Sequence, residues 1–217
     1  MQPRSRRFST ADCSPTKLDR PGKVDLWHIE LTRLPLALRQ HLSLAEWQEA
    51  RGIALENERD TFIQVRAALR SVLARYLDCP PEDLAFEPHA GGLHLVAPNT
   101  LLRFHHSHAG NLLLVAVSFA RKVGLDLEFM RDDLPFEMLA DFYFDPRDAR
   151  RLRHLARSDR MRHFYQEWTS SEARRHVAKP SSESGRWSLL SFTPARGFSA
   201  ALAVEGGDFE LGWRRWS

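Results

Sequence analysis

A long amphipathic helix is the strongest constraint in the sequence. Between Asn57 and Leu77, apolar residues recur at steps of three and four, which places them on one face of an α-helix. The members of this stripe are Phe62, Val65, Leu69, Val72, Leu73 and Tyr76. At about 100° per residue, Arg59, Arg66 and Arg70 fall within about 40° of one another along one border of the stripe. The three arginines either converge on one ligand or extend from the edge of the core into water.

Apolar and polar residues alternate in several short segments, which predicts strands around this helix. The first begins at Val24, and the later ones span 93–97, 101–104, 111–118, 123–128, 187–192, 198–204 and 209–213. The short link 119–122 predicts that its two flanking strands pair as an antiparallel hairpin.

Two further helices are predicted. Ser43 and Glu46 have the spacing of a capping box, which marks a helix start. A second long helix is expected over 159–177, because Met161, Phe164, Tyr165 and Trp168 share one face. The order of elements is typical of an α+β protein with two similar halves, although no direct sequence repeat is visible.

The bulk composition fits a globular protein of the cytoplasm. The chain has 217 residues, of which 43% are hydrophobic, enough to bury a full core. Cys13 and Cys79 are its two cysteines and lack metal-ligand spacing, so we expect a reducing compartment. We also expect no signal peptide and no membrane span, because no apolar stretch is long enough.

Basic residues concentrate at the N-terminus. Residues 1–23 contain six Lys/Arg and two Asp, a net charge of +4, whereas the whole chain carries +3. The remainder is therefore close to neutral. We interpret 1–23 as a solvated, disordered arm; a nucleic-acid-binding arm is the alternative, and we expect no nucleic-acid partner.

Two carboxylates share one face of the strand at 123–128. In the run Val-Gly-Leu-Asp-Leu-Glu, alternation places Asp126 and Glu128 with Gly124 on one side. Paired acids repel unless a cation lies between them, and such oxygen ligands suit Mg²⁺ beside a phosphate. The alternative is that both acids face solvent.

Glu172 lies on the aromatic face of the second long helix. A carboxylate on such a face loses hydration on packing and needs a compensating partner. A metal ion and an ordinary salt bridge both satisfy this requirement.

Histidines cluster where a predicted strand enters a turn. The segment Phe104–Gly110 contains His105, His106 and His108. Its side chains and backbone N–H groups suit an anion. Zinc is the alternative, although adjacent strand positions point to opposite faces.

Taken in order, these segments resemble the 4′-phosphopantetheinyl transferases of the larger, surfactin-synthetase-type class over nearly all of 24–177. Residues 104–110 are similar to that family's F-N-x-S-H-S-x-G turn, and 123–128 to its V-G-I-D-I-E strand. Residues 164–173 resemble its F-x-x-x-W-T-x-K-E-A helix. Leu26-Trp27, Leu42-Ser43, Glu58-Arg59 and the run 66–70 are similar to its N-terminal motifs.

The resemblance implies an Mg²⁺-dependent enzyme of the holo-[acyl-carrier-protein] synthase type. It would transfer the 4′-phosphopantetheine arm of coenzyme A to a serine of an acyl or peptidyl carrier protein and release 3′,5′-bisphosphoadenosine. The carrier would serve fatty-acid, polyketide or nonribosomal peptide synthesis.

The resemblance also implies site residues. Asp126, Glu128 and Glu172 would bind the metal, and Glu172 would help to remove the serine proton. Ser107 and His108 match the family's serine and histidine, with His108 facing the 3′-phosphate of coenzyme A and Arg59 or Arg66 assisting.

The implied fold is a monomeric, pseudo-twofold pair of α+β halves. Each half would be a small, mainly antiparallel sheet packed on a long helix, with residues 24–110 in the first half and 111–217 in the second. Coenzyme A would bind between them.

Two lysines of the family pattern are replaced. Ser171 stands before the glutamate and His176 four residues after it. Loss of a charge-assisted phosphate contact costs on the order of 1.5–3 kcal/mol. Arg174, Arg175 or Lys179 would have to supply the missing charge; otherwise the chain is a weakened or inactive relative that binds coenzyme A or a carrier protein.

Overall fold

The computed structural model describes residues 22–89, 92–96, 100–177 and 186–216. Most of the predicted basic arm and Lys179 lie outside these residues. The described chain divides into two compact units, one formed by Leu36–Leu101 and the other by the segment ending at Pro35 together with the segment beginning at Leu102. The predicted division into halves 24–110 and 111–217, and their pseudo-twofold relation, stay predictions.

The first unit is mainly helical. Helix α1 spans Leu44–Gly52, helix α2 spans Glu56–Leu77, and strands β2 (Phe86–His89) and β3 (Gly92–Leu95) form an antiparallel hairpin. The capping box is confirmed, since the Ser43 hydroxyl accepts from the Glu46 N–H and the Glu46 carboxylate accepts from the Ser43 N–H. The predicted apolar stripe of α2 is buried, except that Phe62 is half-buried.

The second unit contains two sheets. Strands β1 (Lys23–Glu30), β4 (Leu102–Ala109), β5 (Leu112–Phe119) and β9 (Glu210–Arg215) form a sheet in the order β4-β5-β1-β9. Strands β6 (Val123–Phe129), β7 (Trp187–Phe192) and β8 (Phe198–Glu205) form the other, in the order β6-β8-β7. These elements make an α+β protein, as predicted.

The predicted hairpin between 111–118 and 123–128 is wrong. Strand β5 pairs with β1 and β4, and β6 pairs with β8. Ala120 adopts a positive φ of 65° in the link, and the two strands then enter different sheets. Both strands bury apolar residues in the same core, so they pack face to face instead of edge to edge.

Three helices follow β6 along the chain. They are α3 (Phe136–Tyr143), α4 (Pro146–His154) and α5 (Arg157–Val177). Helix α5 was predicted from the sequence, whereas the shorter helices α3 and α4 were not. Phe164 and Tyr165 of α5 are buried with Ala140, Ala149 and Leu152 of α3 and α4. Within the described residues, no helix has both the length and the hydropathy needed to cross a membrane.

Candidate functional site

Strand β6 separates apolar from acidic side chains. Val123, Leu125 and Leu127 belong to the core between the two sheets, as the alternation predicted. Gly124, on the opposite face, lies directly under α5: a Cβ built on it would be 2.1 Å from the carbonyl oxygen of Ala173. Glycine therefore lets α5 approach the strand that carries Asp126 and Glu128.

Asp126 is half-buried, and one of its carboxylate oxygens is fully buried. Its Oδ2 atom is inaccessible to solvent and has no hydrogen-bond partner. Burial first, and then the neighbouring charges of Glu128 and Glu172, raise the pKa of Asp126 to about 7. Because one buried oxygen is unpaired among like charges, this position suits a bound cation.

Glu128 and Glu172 complete the acidic cluster. Burial raises the pKa of Glu128, while a hydrogen bond from Trp168 lowers it and the charge of Glu172 raises it. Glu172 accepts a hydrogen bond from Arg175 at 2.7 Å, and 23% of its side chain is exposed. Strand β6 and α5 thus bring together the three carboxylates that the sequence singled out, and the salt-bridge alternative for Glu172 is present in the form of Arg175.

Strand β4 supports β6 through side chains. The backbone N–H of Leu125 donates to His105 Nδ1 at 3.2 Å, and that of Leu127 donates to the Ser107 hydroxyl at 3.1 Å. A further hydrogen bond links Ser107 to the carboxylate of Asp126 and lowers the pKa of Asp126. His108 follows Ser107 on β4, where alternation turns it to the other face, and it is exposed.

Within the described residues, no group of three or more His, Cys, Asp or Glu side chains has the arrangement of a metal centre. Identification of a metal therefore depends on the chemistry of the acidic cluster. The unpaired oxygen of Asp126 and the mutual repulsion of the carboxylates fit a hard divalent cation such as Mg²⁺.

Comparison with known proteins identifies the family. The chain is 30% identical over 217 residues to the 4′-phosphopantetheinyl transferase HetI of Nostoc sp., and the match covers 88% of this chain and 90% of that protein. This chain belongs to the 4′-phosphopantetheinyl transferases. It is also 33% identical over 150 residues to the putative 4′-phosphopantetheinyl transferase slr0495 of Synechocystis sp., covering 65% of this chain and 59% of that protein. No family model matches the sequence.

In this 4′-phosphopantetheinyl transferase, the second replaced lysine position carries a half-buried histidine. The rings of His176 and His105 lie 4.1 Å apart between centroids. Burial lowers the pKa of His176, the charge of Glu172 raises it and that of Arg175 lowers it. The dominant effect favours a neutral imidazole, which lacks the positive charge of the lysine that it replaces. Ser171, at the first replaced position, is half-buried.

The arginines of α2 have separate environments within the first unit. Arg70 is buried, and its guanidinium donates to Glu46 at 2.7 Å and to the carbonyls of Pro81 and Leu84. Arg66 lies over the ring of Phe62 and 3.8 Å from Glu49. Arg59 is half-buried and donates to the Ile53 carbonyl at 3.5 Å. The interpretation in which all three arginines converge on one ligand is therefore wrong, because the guanidinium of Arg70 is hydrogen-bonded within the core.

The contacts of three site residues were not predicted from the sequence. They are His105 as the acceptor for Leu125, Trp168 as a donor to Glu128, and Arg175 as the partner of Glu172. The spacing of Glu172 and Arg175, three residues apart on one helix, could have indicated their pairing. No sequence signal could have indicated the contact between His105 and His176, which lie on elements far apart in the chain.

Proposed function

We propose that this chain transfers the 4′-phosphopantetheine arm of coenzyme A to a serine of an acyl or peptidyl carrier protein. The observation that carries the proposal is the buried, unpaired Oδ2 of Asp126 beside two further carboxylates, in a chain of this family. A cation that neutralises such a cluster also neutralises pyrophosphate, so one site can serve both the protein and its substrate.

Asp126, Glu128 and Glu172 would hold Mg²⁺. When bound, the ion clamps the pyrophosphate of coenzyme A and offsets charge developing on the leaving group. The serine oxygen of the carrier forms a bond to the phosphorus of the pantetheine side. The bond from that phosphorus to the bridging oxygen breaks, and 3′,5′-bisphosphoadenosine leaves.

Glu172 would receive the serine proton, directly or through one water molecule. Its partial exposure and its place on α5 support this role, since a base must reach the incoming hydroxyl. Ser107 would hold Asp126 in place. The exposed His108 would meet the 3′-phosphate of coenzyme A.

We further propose that the chain is a monomer of the surfactin-synthetase-type class, acting in the cytoplasm. The fit of 123–128 to the V-G-I-D-I-E strand and of 164–173 to the W-T-x-K-E-A helix supports this class. The carrier would serve fatty-acid, polyketide or nonribosomal peptide synthesis.

Intact-mass spectrometry of apo carrier proteins tests the proposal. The carriers are incubated with this protein, Mg²⁺ and coenzyme A, and we expect a mass gain of one phosphopantetheine. Glu172→Gln should abolish the gain, whereas Glu167→Gln, a matched change on the same helix, should preserve it. Identical rates for the two variants would refute the role of Glu172.

A second candidate function is a relative that binds coenzyme A or a carrier without transfer. The neutral side chains at Ser171 and His176 favour it, because they cannot offset phosphate charge. Calorimetric binding of coenzyme A, without mass gain on acyl and peptidyl carriers, would establish this second function in place of the first.

A further inference from the structure

His105 and His176 replace two residues of the family pattern and contact each other. His105 stands at the asparagine of F-N-x-S-H-S-x-G, and His176 at the second lysine position of the helix motif. Their ring planes meet at 33° with centroids 4.1 Å apart. Two departures from one pattern therefore form one contact.

The contact lies where three elements meet. On β4, His105 Nδ1 accepts the N–H of Leu125, the residue before Asp126. On α5, His176 is one helical turn beyond Glu172. A Cβ built on Gly124 of β6 would lie 3.0 Å from the His176 Cβ, so the helix presses on the strand at this point.

We propose that His105 and His176 act together as positioning residues that fix Asp126 and Glu128 of β6 against Glu172 of α5. This inference rests on the proposed transferase function. The two rings fill the space between β4, β6 and α5, and the Nδ1 acceptor holds the backbone beside Asp126. His176 then acts through the shape of its ring. The lysine that it replaces would act through a positive charge that faces phosphate.

Two substitutions at position 176 distinguish packing of the ring from contact with the substrate. A phenylalanine at position 176 preserves a flat ring against His105 but has no donor for phosphate. An alanine removes the ring and leaves a gap beneath α5. Misplacement of reacting groups by about 1 Å can slow a reaction by about a hundredfold.

Transfer kinetics of His176→Phe and His176→Ala test the proposal. We expect His176→Phe to keep kcat and the KM for coenzyme A within about threefold of the wild type. His176→Ala should lower kcat at least tenfold with little change in that KM. Gln166→Ala, an exposed change on the same helix, is the control and should change neither. A KM for coenzyme A that rises about equally in both His176 variants would overturn the proposal, because it would mean that the imidazole contacts the coenzyme.

Unfolding measurements test the contact without any transfer. A double-mutant cycle with His105→Ala and His176→Ala should show at least about threefold coupling in the unfolding equilibrium constant. Additive effects would overturn the inference while leaving the transferase function intact. Coupling in the cycle, together with a wild-type protein that modifies no carrier, would contradict the proposed function alone. If the alanine variants fail to fold, the KM of His176→Phe still decides between packing and substrate contact.

Discussion

The hydroxyl of Ser107 accepts a hydrogen bond from the backbone N–H of Leu127 over 3.1 Å. A second hydrogen bond joins the same side chain to the carboxylate of Asp126. One serine on β4 therefore holds both the backbone and an acidic side chain of β6. This double contact explains why a serine suits position 107.

Ser107→Ala removes both contacts. The Leu127 N–H then lacks its acceptor, and we expect a loss of about 1–3 kcal/mol in the free energy of unfolding. The pKa of Asp126 should rise further, because the hydrogen bond that lowers it is gone. Urea denaturation measures the first effect. Ser188→Ala, which removes a single 3.3 Å contact to the Gly206 carbonyl, is the control. Equal stability of the two variants would contradict the role of Ser107.

Asp126 should make stability depend on pH in the absence of metal. Its pKa is raised from 3.8 to about 7, so between about pH 4 and about pH 7 the folded protein keeps a proton that the unfolded chain has released. Stability therefore falls as pH rises through this window. We expect a loss of at least about 1 kcal/mol, since one pKa unit corresponds to about 1.4 kcal/mol.

The measurement is urea unfolding in EDTA at several pH values for the wild type and Asp126→Asn. The variant should lack this part of the decline, and Asp132→Asn, at an exposed position, should retain it. Mg²⁺ should restore stability to the wild type above pH 7 more than to Asp126→Asn. Parallel profiles of stability against pH for the wild type and Asp126→Asn would exclude Asp126 as the source of the decline in stability.

Gly124→Ala should separate α5 from β6. The added Cβ would lie 2.1 Å from the Ala173 carbonyl oxygen, which belongs to the backbone and cannot swing away. We expect a loss of about 1–3 kcal/mol or more in thermal unfolding. Gly207→Ala is the matched control, because a Cβ there meets nothing within 4 Å. A variant as stable as this control would show that α5 does not press on the strand.

Arg70→Met should destabilise the first unit. Arg70 is 2% exposed, and its loss leaves the Glu46 carboxylate and the carbonyls of Pro81 and Leu84 without their donor. Breaking a buried ion pair typically costs about 3–5 kcal/mol. Arg51→Met, at an exposed position of α1, should change stability by less than about 0.5 kcal/mol. Denaturant midpoints of both variants give the comparison, and similar midpoints would contradict a structural role for Arg70.

Local patterns in the sequence determined several features of this protein. The capping box at Ser43, the buried stripe of α2 and the alternation on β6 depend on neighbours within a few residues, so periodicity was sufficient to predict them. The same periodicity placed Asp126 and Glu128 on one face. The order of the motifs indicated the family, to which the match with HetI assigns the chain.

Tertiary structure alone decided the rest. Strands β5 and β6 are joined by a short link, yet they enter different sheets because their apolar faces pack against each other across one core. Arg70 is structural because carbonyls from the segment after α2 converge on it. His176 packs on His105, 71 residues earlier in the chain, because β4 and α5 both contact β6. Such contacts join residues distant in sequence, and local periodicity carries no information about them.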